Sequence, residues 1–317
     1  MTDERDEILL GGPTPEFDAS AALERFRVQA ARERAALRPA WMRSALAAAA
    51  FVLVIAAAGM TGVADTIIKI FEPQHVATVQ VDPSQLGGVP DPSEYGTLTW
   101  ITPPSHHEVA DAAAAAAEAG FAPLSPSTLP KGVSAQVRFA VMPEAKATFR
   151  FEEDKARAAA AKVNATLPPM PASIAQTTLT MSGGPAILQE YGDVAPGATG
   201  SASFPQILIV QAKAPVVTSD GASVEELRDY ALIQPGIPPS VASQVSAIGD
   251  PVRTLLVPVG IDMGSAKPVT VRGTQGYLFS DGTGIGTALV WVERGQVIGI
   301  LASLEDAEIV SLANSLR

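Results

Sequence analysis

The sequence predicts an α+β fold: one N-terminal transmembrane helix, then an extracytoplasmic domain with a curved, mainly antiparallel sheet and helices on one face. Three observations carry this: an uncharged run of 21 residues at 44–64, a series of short segments alternating with period two, and amphipathic helical segments between and after them.

The run from Ser44 to Ala64, SALAAAAFVLVIAAAGMTGVA, has no charged side chain. As a helix it would span about 31 Å, the thickness of a bilayer's hydrocarbon core. A soluble core helix of that length should show a polar stripe, and this one has none. Six arginines lie between Arg25 and Arg43, whereas Asp65, Lys69 and Glu72 nearly cancel behind the run. The positive-inside rule then puts the N-terminus in the cytoplasm. A cleaved signal peptide fits less well, because 43 residues precede the run and they open with Asp3, Glu4, Asp6 and Glu7.

Four segments follow from that reading. Residues 1–43 form a cytosolic tail, acidic first and basic last. From Ser20 to Arg38 it has helical period, with Leu23, Phe26, Ala30 and Leu37 on one stripe as a candidate contact helix for a cytosolic protein. Its arginines would also meet anionic lipid head groups. Residues 44–64 are the anchor, with membrane lipids as its partners. Residues 65–107 continue the anchor helix to Phe71 and then read as a proline-rich linker or edge strand. Residues 108–317 form the outer domain.

Within that domain, Glu108 to Ala119 predicts a short helix stopped by Gly120. Val133 to Val141 and Ala147 to Phe151 alternate on either side of a turn at Pro143 to Lys146, which predicts a two-stranded ribbon. Asp154 to Ala165 is helical in pattern. Ile174 to Met181, Ala186 to Tyr191 and Ile207 to Ala212 predict strands, and Ser223 with Glu226 opens a helix through a capping box. Val241 to Ile248 predicts another short helix. The closing stretch alternates through Val269–Phe279, Leu289–Val292 and Val297–Ala302, and a helix with Ile309, Leu312, Ala313 and Leu316 on one stripe ends the chain.

Composition excludes several chemistries. The absence of cysteine removes disulfide scaffolds, thiolate metal sites and thiol nucleophiles. A net charge of −11 argues against nucleic-acid binding, which needs a basic surface. The three histidines, His75, His106 and His107, all precede the predicted domain, and no third ligand is spaced near the His106–His107 pair. Asp281-Gly282-Thr283-Gly284-Ile285-Gly286 lacks the lysine and following helix of a phosphate loop. No nucleophile-elbow or Ser-x-x-Lys pattern occurs, and the densest acids, at 152–154 and 225–226, look like helix-start charges. No catalytic residue and no cofactor is therefore expected. The one candidate for a ligand site is apolar: Phe279, Leu289, Trp291 and Ile300 could line a cavity if they share the concave face of the sheet, and otherwise they are core.

Three runs, Val271-Arg272-Gly273-Thr274-Gln275-Gly276-Tyr277-Leu278, Ala288-Leu289-Val290-Trp291-Val292-Glu293-Arg294-Gly295 and Ile309-Val310-Ser311-Leu312-Ala313-Asn314-Ser315-Leu316, resemble the close of an extracytoplasmic domain family of bacterial membrane-anchored proteins, some of them anti-sigma-factor-like. Phe121-Ala122-Pro123-Leu124 through Leu129-Pro130-Lys131-Gly132-Val133 is similar to the entry to such a domain, so the resemblance covers 121–151 and 270–317. It implies a half-barrel like those of lipoprotein carriers and periplasmic sigma regulators. Two functions follow as expectations: a single-pass regulator or sensor that passes an outer state to a cytosolic protein, or a carrier that holds an envelope lipid or lipoprotein.

Overall fold

A computed structural model describes residues 68–82, 92–162, 164–192, 206–234, 237–260, 265–280 and 286–317. The chain folds as a mixed α+β domain whose sheets are mostly antiparallel. The tail, the run at 44–64, the contact stripe of Leu23, Phe26, Ala30 and Leu37, and the glycine-rich turn at 281–285 lie outside the described residues. Among the described residues no helix is long and apolar enough to cross a membrane.

Fifteen strands and six α-helices are described. The strands are β1 (Ile68–Phe71), β2 (His75–Val81), β3 (Gly96–Thr102), β4 (His107–Val109), β5 (Val137–Met142), β6 (Ala145–Phe151), β7 (Thr178–Gly183), β8 (Ala186–Tyr191), β9 (Ile207–Lys213), β10 (Val216–Ser219), β11 (Thr254–Gly260), β12 (Ser265–Val271), β13 (Thr274–Ser280), β14 (Thr287–Glu293) and β15 (Gln296–Ala302). The helices are α1 (Ala112–Ala119), α2 (Glu153–Lys162), α3 (Ala172–Ala175), α4 (Val224–Leu232), α5 (Pro239–Ser246) and α6 (Asp306–Asn314). A larger sheet runs β12-β13-β14-β15-β9-β8-β5-β4, a smaller one runs β1-β10-β7-β6-β3, and β11 pairs with β2 in parallel.

The two antiparallel sheets share their strands. β4, β5, β8 and β9 stand side by side in the larger sheet, and β3, β6, β7 and β10 stand in the same order in the smaller one. Each member of the first set is joined to its counterpart by two to four residues, at 103–106, 143–144, 184–185 and 214–215. Pro103 and Pro104, Pro143, Pro185 and Pro215 occupy those joints. Proline has no N–H for the ladder, so a row of prolines across four neighbouring strands ends one sheet and lets the chain turn into the next.

This corrects the expected ribbon at 133–151. Both strands exist, but β5 pairs with β4 and β8 while β6 pairs with β3 and β7. Period two reports that a segment is extended and which face it buries; it does not report which neighbour it pairs with.

Within 65–107, the expected helical extension to Phe71 is corrected, and of the two readings, linker or edge strand, the described residues form strands. Residues 68–71 are strand β1 on the edge of the smaller sheet, β2 pairs with β11 along seven residues, and β3 and β4 are the edge strands of the two sheets. The domain therefore begins well before residue 108, and His75 and His107 belong to it. Proline spacing suggested a linker because these strands are short and lie at edges, where proline is tolerated. Gly96 opens β3 because a Cβ there would meet the Arg150 carbonyl oxygen and the Phe149 ring.

The helix predicted at 108–119 forms only from Ala112 as α1, because Glu108 and Val109 belong to β4; Asp111 caps it and Gly120 closes it at φ 75°. The capping box of Ser223 and Glu226 opens α4. One core lies between the larger sheet and α6, another between the smaller sheet and α4, and α1 covers Phe139, Val141 and Ile187.

Candidate functional site

Register places the four candidate cavity residues. Leu289 stands opposite Ile300, and Trp291 follows two residues on, so these three share one face of the larger sheet. All three are fully buried against Ile309, Leu312, Ala313 and Leu316 of the C-terminal segment. Phe279 pairs with Ala288 and stands on the opposite face. The four thus form no single site, and three of them are core beneath α6. Alternation in β13 would have located Phe279 once Leu278 was assigned inward, but the direction of "inward" is not in the sequence.

The same inward face carries two buried glutamines, Gln189 and Gln211, which sequence reasoning missed. They bind the backbone of the segment that follows α1. Gln211 Oε1 accepts the Leu124 N–H at 2.8 Å, Gln189 Nε2 donates to the Leu124 carbonyl at 2.9 Å, and Gln211 Nε2 donates to the Gln296 amide oxygen at 2.9 Å. The Tyr191 hydroxyl donates to Gln189 Oε1 at 3.2 Å, and burial pushes that phenol's pKa up. Ser125 and Ser127 then pair with Arg317 and Ser315, so the proline-rich strap and the C-terminus hold each other down. Polar residues at inward strand positions were the available signal.

Side-chain amides satisfy irregular backbone elsewhere as well. Gln206 accepts from the Ser134 N–H at 2.9 Å, and Gln244 accepts from the Gln80 N–H at 2.8 Å while donating to its carbonyl at 3.0 Å. A glutamine side chain carries the donor and acceptor of a peptide, so it can replace a missing neighbouring strand. Gln211→Ala is expected to lower stability by about 1–3 kcal/mol by leaving the Leu124 N–H unpaired. Urea unfolding measures it, and proteolysis within 121–133 should speed up in the same variant.

The polar pairs of catalytic type are all occupied. His75 Nε2 lies 2.7 Å from the Thr254 hydroxyl, which also donates to the Asp250 carbonyl at 2.5 Å. Lys155 donates to Thr97 Oγ1 at 2.8 Å and to the Gly96 carbonyl at 3.0 Å and pairs with Glu152. His107 pairs with Glu118 at 2.9 Å. Among the described residues no group of three histidine, aspartate or glutamate side chains could hold a metal ion.

The remaining unusual surface is β3. Among the described residues, Trp100 and Ile101 are two of the four large apolar side chains left exposed, at 49% and 58%, and they are consecutive on an edge strand. The Glu152 N–H donates to the Tyr95 carbonyl, so residues 95, 97 and 99 face β6 and the peptide groups of Leu98 and Trp100 face outward. Lys155 covers the Gly96 carbonyl, and the ladder is irregular at Ile101.

These features define an α+β domain in which β3 is an exposed, apolar sheet edge among the described residues. No family model matches the chain, and no curated protein or solved structure matches it.

Proposed function

We propose that this chain is a single-pass, membrane-anchored regulatory or sensor protein of the anti-sigma-factor-like kind, whose outer domain binds an envelope partner. The observation that carries the reading is the uncharged run at 44–64 with six arginines on one flank. The resemblance over 121–151 and 270–317 supports it. The carrier reading needs an open apolar face, and the apolar face of the larger sheet is filled by α6 and the strap.

In this reading the Arg-rich helix at 20–38 contacts a cytosolic protein through Leu23, Phe26, Ala30 and Leu37. The test compares the full chain with one lacking residues 1–37, which keeps Arg38 and Arg43 for orientation. Both are purified from native membranes in mild detergent, and bound proteins and lipids are identified by mass spectrometry. A cytosolic protein retained by the full chain alone is the expected result. Lipid or lipoprotein retained equally by both would overturn the regulator and favour the carrier.

A further inference from the structure

We propose that β3 takes up an extended, acid-bearing segment of another polypeptide as a further strand of the smaller sheet, pairing through Leu98 and Trp100. This deepens the reading that the outer domain meets a protein partner, and it rests on that reading.

Three observations lead here. First, among the described residues β3 is an edge with no further strand beside it. Natural sheets blunt their edges with charge, proline or covering segments, because an open row of N–H and C=O groups templates another strand. Here the backbone of Leu124 and Ser134 outside the strands, and of Gln80 in β2, is bound by a glutamine amide, whereas among the described residues no side chain bonds the outward peptide groups of Leu98 and Trp100. Lys155 at Gly96 and the irregularity at Ile101 bracket the free stretch. They limit the pairing to a short window and so set its register.

Second, the edge is apolar where an edge should be charged. Residues 96–105 contain no charged side chain in a protein of net charge −11, and they present Trp100 and Ile101 to solvent. In added-strand recognition, backbone bonds supply affinity while alternate side chains enter neighbouring surface. Trp100, opposite Ala147 on the face that carries Leu98 and Phe149, offers such a contact.

Third, charge selects the occupant. Arg150 stands opposite Thr97 and Lys146 opposite Thr102, both exposed, and neither has a carboxylate within 4.0 Å among the described residues. An incoming strand would run about 9.6 Å from β6, within reach of those long side chains across the small threonines. The acids around them are already engaged: Glu152 is held by Thr97 and Lys155, and Asp220 accepts from the Thr178 N–H opposite Arg150. Arg150 and Lys146 are four residues apart, about 13 Å along the strand, so carboxylates four residues apart on one face of the incoming segment would meet both. A second copy of β3 brings no carboxylate to either cation.

The test uses the full chain in detergent and three fluorescein-labelled eleven-residue peptides. The first alternates valine and threonine with glutamate at positions 3 and 7; the second carries lysine there; the third is the glutamate peptide with proline at position 5. Fluorescence anisotropy is expected to show the glutamate peptide binding at least fivefold more tightly than the lysine peptide, with the proline peptide at least tenfold weaker. In a chain carrying both Lys146→Glu and Arg150→Glu, the preference should reverse, and Trp100→Lys should weaken the glutamate peptide at least tenfold. Equal affinity of the glutamate and lysine peptides for the unaltered chain would overturn the proposal, and that comparison requires no variant to fold. So would a chain that sediments as a dimer and binds none of the peptides, because a second copy would then hold the edge. Failure of the cytosolic partner to depend on residues 1–37 would leave the peptide preference unmoved, so the two readings fail separately.

Discussion

Trp291→Ala is expected to lower the free energy of unfolding by about 3–5 kcal/mol, the range for truncating a fully buried aromatic. Trp291 has no exposed surface and lies at the centre of the largest apolar cluster, between β14 and α6. Removing it opens a cavity that Leu289, Ile300 and Leu312 can close only by moving α6. Gly276, opposite Trp291 on β13, shows how closely the sheet is fitted to this ring: a Cβ there would stand 3.0 Å from Trp291 Cβ and 2.9 Å from the Val290 carbonyl oxygen. Urea denaturation followed by circular dichroism measures the loss. A cost below about 1 kcal/mol would mean that the space around the ring is open and would return Trp291, Leu289 and Ile300 to the role of cavity lining.

The second large effect is expected at Arg272. Its Nε donates to Glu293 at 2.8 Å, Nη1 donates to the Leu316 carbonyl, and its backbone N–H donates to Asn314 Oδ1 at 2.8 Å, so one residue joins the β12–β13 turn to β14 and to the end of α6. Trp291 Nε1 donates to the same carboxylate at 3.4 Å. Burial works to raise the Glu293 pKa, but the hydrogen bonds from Arg272 and Trp291 and the charges of Arg272 and Arg294 outweigh it, and the carboxyl lies below its ordinary value. Arg272→Met removes the cation and leaves a largely buried carboxylate, at a cost of about 2–4 kcal/mol once partial solvent access is discounted.

The pH dependence follows from the direction of that shift. A carboxyl whose pKa is lower in the folded state contributes its stability above the unfolded value, near 4.5, and loses it as pH falls through the folded value. Stability of the unaltered chain should therefore fall on the acid side of that window. In Arg272→Met the carboxyl loses its main favourable partner, burial dominates, and the acid-side loss should shrink or change sign. Thermal melts of both chains between pH 6 and pH 3 decide this; parallel curves would mean that Glu293 does not couple to folding (about pH 3–6 is where a carboxyl of this kind titrates).

Much of the domain was legible along the chain. Strands cover the apolar or alternating segments at 186–191, 207–212, 289–292 and 297–302, whereas the run at 174–181 begins in α3 and becomes β7 only at Thr178, and the stretch at 269–279 is two strands joined by a turn at 272–273. Asp111 and Gly120 bound α1, and Ser223 with Glu226 opens α4, because caps are satisfied within a few residues and need no distant partner. Residues 68–107 were misjudged for a complementary reason. β1, β2 and β3 owe their existence to β10, β11 and β6, which lie from about 50 to 180 residues away in sequence and make otherwise marginal segments extended.

By itself, the sequence determined most of the strands after residue 108, the glycine that ends α1, the capping box that opens α4, that no thiol chemistry is available, and that the balance of charge is acidic. Those properties depend on side-chain identity and on neighbours within one or two turns. Only the tertiary structure decided the rest: that four strands cross from one sheet to the other at prolines, that Phe279 parts from Leu289, Trp291 and Ile300, that Gln189 and Gln211 hold the strap, and that β3 is left as an open edge. Each of these is a matter of which strand lies beside which. Register between segments far apart in the chain is set by the joint packing of all of them, and no local pattern encodes it.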